Sequence, residues 1–118
     1  MILADTSVWV DHLRREVPDF ASLLSEGQIL AHPFVIGELA CGNLRNRLEI
    51  LSLLAALPPA KVAADEEVLR FVSQRKLYGS GLGWVDVHLL ASSLLTGCAL
   101  WTTDKALAAA AEGLKLGA

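Results

Sequence analysis

Two acidic residues come just after apolar runs that are typical of buried strands. Asp5 comes after residues 1–4, and Asp104 comes after residues 98–102. The carboxyl ends of parallel strands meet at one edge of a sheet, and α/β proteins bind their ligands beyond that edge. We therefore expect the two carboxylates to share this edge, although an acid after a strand is just as typical of a helix N-cap.

Two further acids interrupt segments that are otherwise apolar. Glu38 stands within the helical pattern at 33–42, and Asp86 stands near the start of the helical pattern at 85–95. An acid in such a segment is either a ligand or the one position that faces solvent, and the apolar neighbours favour a ligand. Glu38 is expected near the same sheet edge, whereas Asp86 needs the fold to bring it there.

Carboxylates gathered at one place repel one another and become protonated or destabilising unless a cation is bound. Oxygen ligands without Cys or His suit Mg²⁺ or Mn²⁺ rather than zinc. Such ions lower the pKa of a bound water and polarise a phosphoryl oxygen, and two together stabilise both oxygens of an in-line displacement. The predicted chemistry is metal-dependent phosphodiester hydrolysis, with four residues as metal ligands and catalytic groups: Asp5, Glu38, Asp86 and Asp104.

The order of apolar runs and helix signals predicts strands that alternate with helices. Strands are predicted at 1–4, 28–32 and 98–102, with lesser candidates at 61–63 and at 114–116, the last short or clipped. Helices are predicted from Thr6 or Ser7, either of which offers an N-cap, and at 18–25, 33–42, 44–57, 65–77, 85–95 and 105–112. This alternation predicts one α/β domain over residues 1–118, a three-layer α/β/α sandwich with a mainly parallel central sheet.

Length and composition fit a self-sufficient domain. Of the 118 residues, 53% are hydrophobic, which provides a core without disulfides or a structural metal. Cys41 and Cys98 are far apart and have no further Cys or His at ligand spacing, so neither a zinc site nor a disulfide is indicated. No signal peptide precedes Asp5, and polar residues interrupt the longest uncharged run, 87–103. We expect a buried helix and strand there, a cytoplasmic protein and no membrane association.

The net charge of −3 at first argues against a nucleic-acid partner. Setting the four named acids aside leaves nine of the thirteen acids against ten Lys and Arg, which is nearly balanced. Charge therefore neither supports nor excludes RNA. The basic candidates for phosphate contact, for which a solvated surface is the other interpretation, are Arg14, Arg15, Arg45, Arg47, Arg75, Lys76 and Lys105.

Other notable side chains have structural interpretations that are at least as good as functional ones. The three histidines lack a partner at ligand spacing and are expected to be packed or at the surface. The three tryptophans could stack on bases, but their apolar neighbours favour the core. Four leucines could form a partner surface or belong to an ordinary core: Leu51, Leu53, Leu54 and Leu57.

The segments that contain the four acids resemble one known family. They read DTSVWVD at Asp5, IGELACG at Glu38, GWVDVHLLAS at Asp86 and LWTTDKAL at Asp104. Each motif is weak alone, but in this order and spacing, from residue 1 to about residue 111, they resemble the PIN-domain nucleases. The resemblance is to the VapC-type toxins of bacterial toxin and antitoxin pairs in particular.

The resemblance implies an endoribonuclease toxin whose four acids hold Mg²⁺ or Mn²⁺ and hydrolyse RNA through a metal-activated water. Thr102 and Ser7 match hydroxyl positions that support such a site. The resemblance also implies a structured RNA substrate and a homodimer. A VapB-type antitoxin is implied as well, whose tail blocks the active-site groove in a heterotetramer or larger complex.

Three other functions fit some of these residues. A catalytically silent PIN-fold module would bind RNA or an antitoxin without cutting, and the complete set of acids argues against it. A receiver-type phospho-acceptor domain needs neighbouring acids at the first strand, where Thr6 and Ser7 stand instead. A haloacid-type phosphatase needs a second Asp where Ser7 stands.

Overall fold

A three-stranded parallel sheet lies at the centre of the molecule, whose computed structural model describes all 118 residues. The strands are β1 (Ile2–Ala4), β2 (Ile29–Leu30) and β3 (Ala99–Trp101), in the order β2-β1-β3. The central strand β1 pairs Leu3 with Leu30 on one side and with Leu100 on the other. Chain order reverses at β1, so the switch point that favours ligand binding lies at its carboxyl end.

Single bridges extend the sheet at both edges. Ala31 pairs with Pro59, and Leu100 pairs with Gly117. The predicted strand at 61–63 is wrong, because pairing ends with the hydrogen bond from Ala60 N to the Ala31 carbonyl at 2.9 Å. The next donor on the β2 side would be Pro33, which has no backbone N–H and begins α3. The predicted strand at 114–116 is also wrong as a strand. Leu116 contributes only its carbonyl oxygen, 2.7 Å from the Leu100 nitrogen.

Seven helices pack around the sheet and confirm the predicted three-layer α/β class. They are α1 (Thr6–Arg14), α2 (Pro18–Ser25), α3 (Pro33–Cys41), α4 (Arg47–Ala56), α5 (Asp65–Gln74), α6 (Trp84–Thr96) and α7 (Lys105–Gly113). The helix predicted from residue 44 begins later, because Asn46 adopts a left-handed φ of 52° and interrupts the helical turn. The cap predicted at Thr6 or Ser7 is supplied instead by Asp5.

One main core joins the helices to the sheet. It contains 18 buried hydrophobic residues, among them Leu3 and Leu100 of the sheet. Trp9 of α1 meets Phe20 of α2 edge to face, with ring centroids 4.8 Å apart. The run 87–103 forms buried parts of α6 and β3, as predicted, and no helix has both the length and the hydropathy to cross a membrane.

The leucines considered for a partner surface belong mainly to this core. Leu54 is 1% exposed, and Leu51 and Leu57 pack against the core. Leu53 alone among the four is exposed. The core interpretation is therefore correct for three of them.

Candidate active site

Two of the predicted acids meet at the carboxyl edge of the sheet. The backbone nitrogen of Asp5 donates to the carbonyl of Trp101 at 3.0 Å, which continues the pairing of β1 with β3. Asp5 Oδ1 also accepts from Val8 N at 3.3 Å, and Asp104 Oδ1 accepts from Leu107 N at 2.8 Å. Each acid thus caps the helix that follows it. Helix capping and a position at the sheet edge occur in the same two residues.

Two hydroxyl groups fix the orientation of Asp5, which is 7% exposed. Ser7 Oγ donates to Asp5 Oδ1, and Thr102 Oγ1 donates to Asp5 Oδ2, both at 2.5 Å. The same hydroxyl oxygens accept from the backbone nitrogens of Thr103 and Asp104, at 3.1 and 3.0 Å. The two hydroxyls predicted to support the site therefore tie the loop after β1 to the loop after β3, and they orient the carboxylate without a positive charge.

Glu38 is brought to this edge by its partner on α1. Its Oε1 accepts a hydrogen bond from Thr6 Oγ1 at 2.5 Å, and the side chain lies exposed on α3. The sequence reasoning gave Thr6 no role at the site. Its position between Asp5 and Ser7, in an unbroken run of polar side chains, was the signal that could have identified it.

Asp86 lies in the first turn of α6, where its Oδ2 accepts from Gly83 N at 2.9 Å. Burial raises the pKa of Asp86, and the bond from Gly83 lowers it. The negative charges of the other three predicted acids raise this pKa further: Asp104, Asp5 and Glu38. The fold therefore places Asp86 within electrostatic range of all three, which sequence alone did not establish.

The four acids have no basic partner. The ion pair within 4 Å that the chain does form joins His88 to Asp65, elsewhere on α6 and α5. At the same time, no group of three or more His, Cys, Asp or Glu side chains is arranged to hold a metal ion. The two findings differ because charges interact over many ångströms, whereas ligation needs several oxygens within about 2.0–2.6 Å of one ion. The acids are electrostatic neighbours whose oxygens are not in ligand geometry.

A groove of about 750 Å³ begins beside this cluster. Thr6 and Glu38 lie in its lining, and it follows α1 towards Arg14 at the other end of that helix. The loop before α4 contributes Arg45, and the walls are otherwise largely apolar. The groove thus joins an acidic end to a basic end.

The basic residues singled out from the sequence divide into three sets. Arg14 and Arg45 line the groove. Arg47 has a structural partner, because its Nη1 donates to the carbonyl of Ala40 near the end of α3 at 2.5 Å. Contact with RNA stays a prediction for all of them, including those that are exposed outside the groove: Arg15, Arg75, Lys76 and Lys105.

Two of the three histidines, His32 and His88, are buried, which agrees with the expectation that the histidines are packed or at the surface. His32 Nδ1 accepts from Phe34 N at 3.0 Å, so Nε2 carries the proton and donates to Ser92 Oγ at 3.0 Å. Burial, with a smaller effect from His88, lowers the pKa of His32 to about 4. Of the tryptophans, Trp9 is core as expected, whereas Trp84 is 42% exposed with its ring against His88.

Comparisons with known proteins agree with this geometry. A family model described as PIN domain matches residues 2–113. Two curated relatives are both named Ribonuclease VapC32, from Mycobacterium tuberculosis strains CDC 1551 / Oshkosh and ATCC 25618 / H37Rv. Each is 49% identical to this chain over 111 residues, which covers 93% of this chain and 90% of the relative. No solved structure is significantly similar to this chain.

Proposed function

The chain belongs to the PIN-domain family, as a VapC-type member, and on that premise we propose that it is a metal-dependent endoribonuclease toxin. One observation carries the proposal. Burial and, to a smaller extent, the negative charges of Asp104, Asp5 and Glu38 raise the pKa of Asp86, and none of the four acids has a basic partner. Such an arrangement is costly unless a cation is bound, and it is typical of phosphodiester hydrolysis.

The donor set fits a hard divalent cation. It consists of carboxylate oxygens, with no thiolate or imidazole, and Mg²⁺ or Mn²⁺ prefers such ligands. Four residues would hold the ion after side-chain movement brings their oxygens together: Asp5, Glu38, Asp86 and Asp104. When bound, it supplies charge neutralisation and Lewis-acid polarisation at the scissile phosphate.

The chain's own residues supply orientation. Ser7 and Thr102 hold Asp5 in one position, so this carboxylate needs little reorganisation, and the movement that gathers the ligands falls on the other three acids. Hydrolysis forms a bond from a water oxygen to phosphorus and breaks the bond from phosphorus to one ribose oxygen, which takes up a proton. The scissile phosphate would lie between the carboxylates at the sheet edge and those of α3 and α6.

RNA approaches this cluster along the basic end of the groove. Arg14 lies at the opposite end of α1 from Thr6, and Arg45 lines the same groove, so both can contact phosphates that flank the scissile one. Lys105 follows Asp104 directly and can reach a phosphate close to the reaction centre. Base identity is not read by such contacts, so the preferred RNA is set elsewhere.

The same groove supports control by a VapB-type antitoxin. Its apolar walls and two arginines suit a peptide tail with apolar and acidic side chains, and such a tail would cover Glu38. The homodimer and the heterotetramer or larger complex with antitoxin rest on the family resemblance alone, and the cytoplasmic location stays a prediction.

A catalytically silent module that binds RNA or antitoxin is the second candidate. It is favoured by one observation, that no three side chains of the acidic cluster stand in metal-ligand geometry. The two candidates differ in a single outcome, which is whether RNA is cut.

The test is cleavage of a mixed cellular RNA pool by purified protein that is free of antitoxin, with Mg²⁺, with Mn²⁺ and with EDTA. We expect the wild type and the control Asp11→Asn, which changes an exposed acid of α1, to cut RNA only with metal. Asp86→Asn should slow cleavage by about 100-fold or more, as for loss of one preorganised catalytic group. Cutting in EDTA would contradict the metal requirement, and intact RNA with folded wild type would favour the binding module.

A further inference from the structure

The hydrogen bond between Thr6 and Glu38 joins side chains from two helices, 32 residues apart. It is the one side-chain hydrogen bond that Glu38 makes, and no basic group lies within ion-pair distance of this carboxylate. An exposed glutamate on a helix ordinarily moves among many rotamers. Here the Thr6 hydroxyl is what restrains it.

Thr6 is itself held firmly. It is the first residue of α1 and follows Asp5, which is buried and caps that helix. The Asp5 carboxylate accepts hydrogen bonds from Ser7 of α1 and from Thr102 after β3. Its β-branched side chain has few accessible rotamers. The Thr6 hydroxyl therefore links the fixed sheet edge to Glu38 of α3 and restrains that side chain.

We infer that Thr6 is a positioning residue of the proposed metal site, which restrains Glu38 through Oε1 and leaves Oε2, which has no hydrogen-bond partner, free for the cation. The inference rests on the proposed function. Without the hydroxyl, the cation would have to order a free glutamate, and its affinity would fall by the cost of immobilising one long side chain, about three- to tenfold.

Two substitutions separate the hydroxyl from the shape of the side chain. Thr6→Val keeps the branched shape and removes the donor, whereas Thr6→Ser keeps the donor. The measurement is Mn²⁺ affinity of the intact protein, by electron paramagnetic resonance of free Mn²⁺ or by calorimetry. We expect Thr6→Val to weaken binding about three- to tenfold and Thr6→Ser to stay close to wild type.

A double-mutant cycle distinguishes positioning from a general effect on the fold. In a Glu38→Ala background the further change Thr6→Val should leave Mn²⁺ affinity unchanged, because the group it positions is gone. The inference is overturned if Thr6→Val binds Mn²⁺ as tightly as wild type or more tightly. It is also overturned if Thr6→Val has the same effect in both backgrounds.

Failure of this inference and failure of the proposed function have different signatures. If Asp104→Asn weakens Mn²⁺ binding and Thr6→Val does not, the metal site stands and the role of Thr6 is wrong. If Asp86→Asn and Asp104→Asn both bind Mn²⁺ as tightly as wild type, the proposed metal site is wrong, and the role of Thr6 with it.

Discussion

At the residue scale, single acids in this chain have two roles. Asp5 and Asp104 cap helices, and the same side chains contribute to a cluster of like charges. Capping stabilises a helix by about 1 kcal/mol, whereas repulsion within the cluster lowers the stability of the fold. Local helix stability and the cost of the site are therefore set by the same carboxylates.

Removing one charge from the cluster should stabilise the metal-free protein. Because the folded-state pKa of Asp86 lies above its ordinary value of 3.8, the folded state binds this proton more readily than the unfolded state does. The ionised group therefore lowers the free energy of unfolding at neutral pH. Asp86→Asn keeps an oxygen for Gly83 and should melt higher than wild type in EDTA near pH 7.5, by on the order of 1 to 4 °C.

Substituting a partly buried polar residue usually lowers the melting temperature, whereas Asp86→Asn should raise it. The gain should disappear as the pH falls through 3.8, since the wild-type carboxyl is then neutral in both states. Asp11→Asn serves as the control and should change the melting temperature little. A lower melting temperature for Asp86→Asn in EDTA at neutral pH would mean that the carboxylate stabilises the fold.

At the element scale, the two helices that carry Glu38 and Asp86 are joined by His32. This buried side chain caps α3 through Nδ1 and bonds Ser92 of α6 through Nε2. A neutral imidazole is required, because a protonated Nδ1 cannot accept from Phe34 N. The spacing of the two acids therefore depends on a core residue that touches neither of them.

Acid should weaken this connection within a defined pH window. The pKa of His32 is lowered to about 4 from 6.5, so the unfolded state binds this proton more readily. The stability that His32 contributes is fully present above 6.5 and is lost as the pH falls towards 4. His32→Asn keeps a cap for α3, loses the bond to Ser92 and cannot titrate. It should cost about 1–3 kcal/mol near pH 7.5.

Urea unfolding of both proteins near pH 7.5 and near pH 4.5 provides the measurement. We expect the stability difference between wild type and His32→Asn to shrink at the lower pH, because the wild type alone loses the His32 contribution. Groups common to both proteins cancel in this difference. An unchanged difference would show that His32 is not the residue that senses acid.

Helices and strands could be predicted where a short sequence pattern determines them. They could not be predicted where they depend on pairing between segments that are far apart in the chain. The apolar run before Asp5 and the first-turn proline of α3 gave the right elements. The strand predicted at 61–63 is wrong, because β propensity cannot show that its partner segment turns into α3 at Pro33 and offers no further donor. The convergence of Asp86 with the other acids depends on how α6 packs, which no local pattern contains.

At the scale of the whole molecule, the distribution of charge matters more than its net value. A net charge of −3 gives no sign of an RNA partner, yet one groove is lined both by Glu38 of the acidic cluster and by Arg14 and Arg45. Without the four clustered acids, nine acids remain against ten Lys and Arg. Composition alone therefore could not decide the substrate class.

The basic end of the groove can be tested through salt dependence. RNA binding is measured on the Asp86→Asn background in EDTA, where we expect no cleavage. Arg45→Ala should weaken this binding and reduce the slope of log affinity against log salt by about 1. Lys105→Ala is expected to act similarly. The matched control is Arg70→Ala, because Arg70 is an exposed residue of α5 and does not line the groove. Unchanged affinity and slope would remove the altered residue from the RNA surface.

The convergence of four carboxylates on one cation is tested most directly by Mn²⁺ binding to the wild type and to four amide variants, Asp5→Asn, Glu38→Gln, Asp86→Asn and Asp104→Asn. We expect each change to weaken binding by about tenfold or more, with Asp11→Asn and Asp65→Asn close to wild type. If any one of the four binds Mn²⁺ as the wild type does, that residue is not part of the site. If Asp65→Asn is the variant that loses Mn²⁺, the cation binds elsewhere and the assignment of the active site is wrong.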